Sequence, residues 1–171
     1  MDRPAHCQHA WLREVVETFE GRLLRYAAHI TGDLESARDV VQDTFAKLCR
    51  QDRDEVEGHL AEWLFTVCRN RAVDVRRKET RMKTSQVEAD GMATRETPQD
   101  IVAERRDEVE QVERVLSHLS DNQQEVIRLK FQNGLSYKEI ARITQLSVGN
   151  VGYLIHTALQ KLRVELNVEC S

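Results

Sequence analysis

Between Arg69 and Lys83 the sequence places seven basic side chains, Arg69, Arg71, Arg76, Arg77, Lys78, Arg81 and Lys83, against two acids, Asp74 and Glu79, a local charge of +5. Bases on successive helix turns can follow a phosphate backbone, and Asn70 among them offers both a donor and an acceptor to an unstacked base. Cations also suit the negative end of a helix dipole, but seven exceed what a helix end needs, so the segment points to nucleic acid. A second set, Asp39, Gln42 and Asp43, recurs at helical spacing on a face apart from the apolar Val41/Phe45 stripe. Such a set presents acceptors to a basic partner surface.

Other chemistries lack their residues. No Ser/His/Asp arrangement, phosphate-cradling glycine loop or catalytic carboxylate pair stands in a plausible setting, so an enzyme is not expected. His6-Cys7-Gln8-His9 holds soft ligands without a partner cluster, so neither a metal nor another cofactor is expected. The four cysteines are scattered, with no CxxC pair, and read as reduced thiols; Cys49 and Cys68 sit beside apolar helical positions as buried small hydrophobes. Trp63 shares its register with Leu60, Leu64 and Val67, which makes it a core residue rather than a stacking platform.

The elements that must carry these residues are helices. Leu12, Val15, Val16, Phe19, Leu23, Ala27 and Ile30 repeat at three- and four-residue steps within Trp11 to Ile30, until Thr31-Gly32-Asp33 stops the pattern. Asp33 then caps a helix with Ala37, Val41, Phe45 and Leu48 inward. After the acidic stretch from Gln51 to Gly58, a long helix spans about His59 to Thr80, burying Leu60, Trp63, Leu64, Val67, Ala72 and Val75 and turning basic at its end. Periodicity fades through Thr84 to Pro98, as in a linker.

Beyond it, Ile101, Val102, Val109, Val112, Leu116 and Leu119 mark another helix. Ser120 with Gln123 makes a capping box for the next, which carries Val126, Ile127 and Phe131 inward and closes at Asn133-Gly134. Ser136 with Glu139 repeats the device ahead of Ile140, Ala141 and Ile143. A tight turn at Thr144-Gln145-Leu146 leads to Ser147, which caps a last helix burying Val151, Leu154 or Ile155, Ala158, Leu162 and Leu166. Two helices joined by such a turn read as a helix-turn-helix.

Composition agrees. The chain has 171 residues, 40% hydrophobic and 32% charged, with two prolines and seven glycines. That supports one ordinary domain or two small ones, folded and all-α. The net charge of −4 argues against a nucleic-acid partner until it is divided, because residues 84–110 hold 3 bases against 8 acids and account for the excess. No apolar run reaches the length of a membrane span and the first residues lack a signal peptide's apolar stretch, so a cytoplasmic protein without membrane insertion is expected.

The blocks Leu34 to Phe45 and Trp63 to Asn70, followed by Leu119-Ser120, Gly134 to Ala141 and Ser147 to Val151, together resemble bacterial sigma factors of the extracytoplasmic-function group. The resemblance implies two helical domains, 1–83 and 100–171, joined by a flexible linker over 84–99. It further implies a subunit that binds core RNA polymerase and directs promoter-specific initiation, under control of an anti-sigma protein or an equivalent regulator. Asp39, Gln42 and Asp43 would dock on polymerase. Asn70, Arg71, Arg76, Arg77, Lys78 and Arg81 would hold the minus-ten element, and the second domain would read the minus-thirty-five element as duplex.

The last helix departs from the family pattern. Where members carry Lys or Arg just after the residue matching Val151 and again within a turn or two, this chain has Gly152, Tyr153, Leu154, His156 and Thr157. The remaining duplex-reading candidates are Asn150, Tyr153, His156 and Thr157, with Lys138 and Arg142 on the preceding helix and Lys161 further on. Fewer cations release fewer counterions, which predicts weak, shallowly salt-dependent duplex binding. Gly152 signals either close backbone approach or a loosely held helix. The competing readings are a polymerase- or regulator-binding protein with weakened minus-thirty-five recognition and a helix-turn-helix repressor.

Overall fold

The computed structural model describes residues 5–85 and 113–169, and among these the side chains of residues 9–82, 84 and 113–165. The chain forms two compact units, Met1–Pro98 and Gln99–Ser171, and the described residues are helices and turns without strands. The linker expected over 84–99 lies outside the described residues apart from Thr84 and Ser85. So do Ile101, Val102, Val109 and Val112.

In the first unit, α1 (Ala5–Thr31), α2 (Leu34–Leu48) and α4 (Leu60–Ser85) each pack against the other two, while α3 (Arg53–Val56) and a 3-10 turn (Glu57–His59) lead into α4. The break between α1 and α2 follows from local chemistry. Gly32 takes φ +85, open to glycine and costly for other residues, and the Asp33 carboxylate accepts from the Ser36 N–H at 3.0 Å, satisfying an otherwise orphaned helix-start donor. The core joins Leu23, Tyr26 and Ala27 of α1, Ala37, Val40, Val41, Thr44 and Leu48 of α2, and Leu64, Phe65, Cys68 and Ala72 of α4. Tyr26 and Phe65 meet edge to face with centroids 5.3 Å apart, and the Arg22 guanidinium lies 5.7 Å from the Phe65 centroid and 4.8 Å from that of Phe19.

Two inward expectations and one element are corrected here. Trp63 is half-buried, because α4 turns the neighbouring Leu64 and Phe65 fully into the three-helix junction. Cys49 is exposed, since it follows the last residue of α2 and only its N–H stays engaged, with the Phe45 and Lys47 carbonyls. The acidic stretch includes the short helix α3, because Asp52 caps it by accepting from the Asp54 N–H at 3.1 Å.

In the second unit, α5 is described over residues 113–117. It precedes α6 (Asp121–Ile127), a π-type turn over Arg128–Gln132, α7 (Tyr137–Thr144) and α8 (Val148–Glu169). Both capping boxes form, Ser120 with Gln123 and Ser136 with Glu139. The Ser136 N–H held by the Glu139 carboxylate lowers the pKa of Glu139. Gly134 at φ +68 closes the π-type turn, and Gln145 at φ +59 makes the tight turn between α7 and α8, an unusual conformation outside glycine. Arg128, 8% exposed, is held by Glu113 through two bonds of 3.0 and 2.6 Å. Phe131 corrects a further expectation: the π-type turn advances the register, so Leu129 faces the core and Phe131 stays 59% exposed.

Cys68 is fully buried, its Sγ 3.9 Å from the Leu23 carbonyl, and burial pushes the thiol pKa up to about 12, partly offset by the Thr44 hydroxyl. A thiol reagent at pH 8 will therefore label Cys49 at once and Cys68 only on unfolding. Because the folded-state pKa is the raised one, the unfolded chain holds fewer protons above pH 9, so this contribution to stability falls between pH 9.0 and about 12. The urea midpoint of the native chain should drop over that range more than that of Cys68→Ala, and equal drops would refute the assignment.

Candidate nucleic-acid interface

The basic segment is the outer continuation of a helix whose inner half is anchored in the core. Leu64, Phe65, Cys68 and Ala72 fix the rotation of α4, and at 100° per residue Asn70, Asp74, Arg77 and Arg81 then share the face opposite Cys68 and Ala72. All four are exposed, as are Arg76 and Lys78. Arg76, Arg77 and Arg81 line one shallow depression with Val73 and Thr80. Sequence reasoning missed Val73 and Thr80; their signal was spacing, three and four residues from these arginines along one helix.

Arg71 stands apart from this face. It is half-buried and its Nε donates to the Asp43 carboxylate at 2.7 Å, so a residue expected on the minus-ten element holds one expected on polymerase. Asp39 and Gln42 are exposed on α2, opposite Ala37, Val41 and Thr44. The Ser36 hydroxyl donates to Glu79 at 3.1 Å, a second tie between α2 and the outer part of α4. The acceptor face of α2 and the cationic face of α4 are thereby fixed relative to each other within one unit.

On the second unit, Lys138, Arg142, Asn150, Tyr153, His156 and Lys161 are all exposed. Thr157 is turned inward instead, where its hydroxyl accepts from Gln123 Nε2 at 2.9 Å and donates to the Tyr153 carbonyl at 3.0 Å. Ser147 caps α8 by accepting from the Asn150 N–H at 3.1 Å. From Val148 to Thr157 the helix carries no Lys, Arg, Asp or Glu. Lys130 is engaged nearby, its ammonium 5.4 Å from the Tyr137 ring centroid and donating to the Leu135 carbonyl.

A Cβ placed on Gly152 would meet the Tyr137 ring at 3.7 Å, an ordinary contact, so the backbone approach does not require glycine. Gly152→Ala should therefore fit without rearrangement and stabilise the unit by about 0.5–1 kcal/mol through helix propensity, read as a raised denaturant midpoint. A lowered midpoint would mean that the Tyr137 contact cannot accept the methyl group.

The sigma-70 region 2 family matches residues 15–82, and the sigma-70 region 4 family matches residues 109–162. The chain is 30% identical over 167 residues to the ECF RNA polymerase sigma factor SigL of Mycobacterium tuberculosis, covering 95% of this chain and 92% of that protein. It is 26% identical over 154 residues to the ECF RNA polymerase sigma factor SigM of Bacillus subtilis, covering 90% and 94%. Among solved structures it is similar to the sigma factor RpoE in complex with the anti-sigma factor NepR from Bartonella quintana, with a TM-score of 0.66 and 25% identity over 91% of this chain and 96% of that one. CnrH in complex with the cytosolic domain of CnrY gives a TM-score of 0.61 at 25% identity, covering 92% and 88%.

Proposed function

The chain belongs to the sigma-70 family, in its extracytoplasmic-function group, and is an alternative sigma factor that directs transcription initiation; from its geometry we propose which side chains carry each part of that work. The observation that carries the assignment is the fixed pairing of two unlike faces on one unit, acceptors on α2 and cations on α4. Asp39, Gln42 and Asp43 dock on core RNA polymerase. Asn70, Arg76, Arg77, Lys78 and Arg81 hold the melted minus-ten strand, the cations along its phosphates and the Asn70 amide on a base. The working division is 1–83 for these two tasks, 84–99 as connection and 100–171 for the minus-thirty-five element. Polymerase does the chemistry, in the cytoplasm, and the sigma factor itself catalyses nothing.

Arg71 joins the minus-ten set only on leaving Asp43. Both side chains are about a third to a half exposed, and such a pair contributes at most about 1 kcal/mol, so a phosphate or a basic surface displaces either partner. Lys138, Arg142, Asn150, Tyr153, His156 and Lys161 face the minus-thirty-five duplex, and Thr157 acts through its bond to Gln123 by orienting the first turns of α8. An anti-sigma protein covers one or both units when transcription is not needed; the RpoE–NepR complex supports such a partner. A second reading, a polymerase-associated regulator that no longer reads the upstream element, is favoured by the uncharged run from Val148 to Thr157.

Run-off transcription from genomic fragments with core polymerase separates the two, since only a sigma factor yields discrete starts. In the same assay Asp39→Arg should weaken core binding by about tenfold, as a charge reversal facing a basic surface does. Replacing Arg77 and Arg81 by Ala should lower the salt slope of single-strand binding by about 1.4, two lost phosphate contacts at roughly 0.7 each, whereas Asn70→Ala should reduce promoter discrimination with the slope unchanged. An unaltered slope in the double variant would remove these arginines from the interface.

A further inference from the structure

The first three turns of α8 present one outward face, and a single bulky side chain dominates it. Gly149, Tyr153 and His156 share that face at helical spacing, opposite the buried Val151, Ile155 and Ala158. Gly149 has open space around its Cβ position, and Gly152, beside Tyr153, meets only the Tyr137 ring. The helix surface is therefore bare at Gly149, and one turn on the Tyr153 ring is 66% exposed. Asn150, exposed in the first turn next to this face, adds an amide.

Such a face suits the edges of bases better than phosphates. The run from Val148 to Thr157 has no full charge to neutralise a backbone, while Lys138 on α7 and Lys161 further along α8 are exposed and suited to phosphates. The second helix of a helix-turn-helix enters the major groove with its N-terminal residues toward the bases. The apolar group that the groove offers there is the C5-methyl of thymine. An aromatic ring next to glycine backbone reaches that methyl and removes it from water.

Resting on the reading of this unit as the duplex-binding one, we propose that Tyr153 is a specificity-determining residue that reads a thymine methyl in the upstream promoter element, in place of the cationic readout this helix lacks.

The test uses holoenzyme formed from core polymerase and the full chain, bound to a promoter recovered by run-off transcription, with each thymine of the upstream element replaced in turn by deoxyuridine. One position should lower native affinity roughly fourfold, the equivalent of about 0.8 kcal/mol for one buried carbon. The same replacement should have no effect with Tyr153→Ala and keep its effect with Tyr153→Phe, because the ring and not the hydroxyl makes the contact. The exposed position makes both variants foldable, and an unchanged melting curve confirms it. If no deoxyuridine weakens binding although deleting the element does, the unit reads duplex by other groups and the proposal fails alone. If deleting the element changes nothing, the duplex reading falls and the proposal with it. Loss of core polymerase binding by Tyr153→Ala without DNA would make the ring a protein-docking residue and overturn the proposal.

Discussion

The packing of Tyr26 against Phe65 is the contact on which the first unit depends. Both rings are essentially buried, and their edge-to-face contact locks α4 to α1 at one point along its length and one rotation about its axis. A helix is stiff over its length, so fixing the rotation at Phe65, Cys68 and Ala72 also fixes the face that Arg77 and Arg81 present two to four turns later. The cationic surface thus needs no packing of its own. Arg71 on Asp43 and Glu79 on Ser36 add only the fine alignment of α4 on α2, since exposed or half-exposed polar pairs contribute little net stability.

The second unit solves a different problem with less material. Two of its helices are short, α6 with seven residues and α7 with eight, lengths at which a helix is marginal by itself. The two capping boxes satisfy the exposed backbone donors at the starts of both, each cap contributing on the order of 1 kcal/mol. Glu113 answers the buried Arg128 with a two-point contact, which is what allows a guanidinium 8% exposed to remain inside, although its Nε stays without a partner. The π-type turn that carries Arg128 also rotates Phe131 outward.

That rotation shows what periodicity can and cannot convey. Helix existence, the Asp33 cap, both capping boxes and the helix-turn-helix were legible because each depends on residues within four positions of one another. Phe131 was misread because a regular period assumes regular turns, and one extra residue in a turn changes every register after it. Periodicity places Trp63 in the core and leaves the buried Phe65 out of it for a different reason. α4 packs against two helices at once, so its buried face is broader than one stripe and includes a residue adjacent to the apparent seam. The exposed cations of α4 were legible in kind, but the partnership of Arg71 with Asp43, 28 positions apart, exists only in the fold.

The two units also divide the physics of recognition. On the proposed roles, the first concentrates charge, so its contribution to binding is strong in low salt and carries little sequence information, apart from the amide of Asn70. On the same proposed roles the second, with no charged residue from Val148 to Thr157, contributes weakly and through shape and apolar base edges. Weakness there is tolerable because polymerase and the first unit hold the second near its site. A group with low intrinsic affinity is then presented at high effective concentration, and only its discrimination between sequences matters. A cationic α8 would bind every duplex more tightly by the same factor, whereas an aromatic one improves the ratio between right and wrong sites without raising the background.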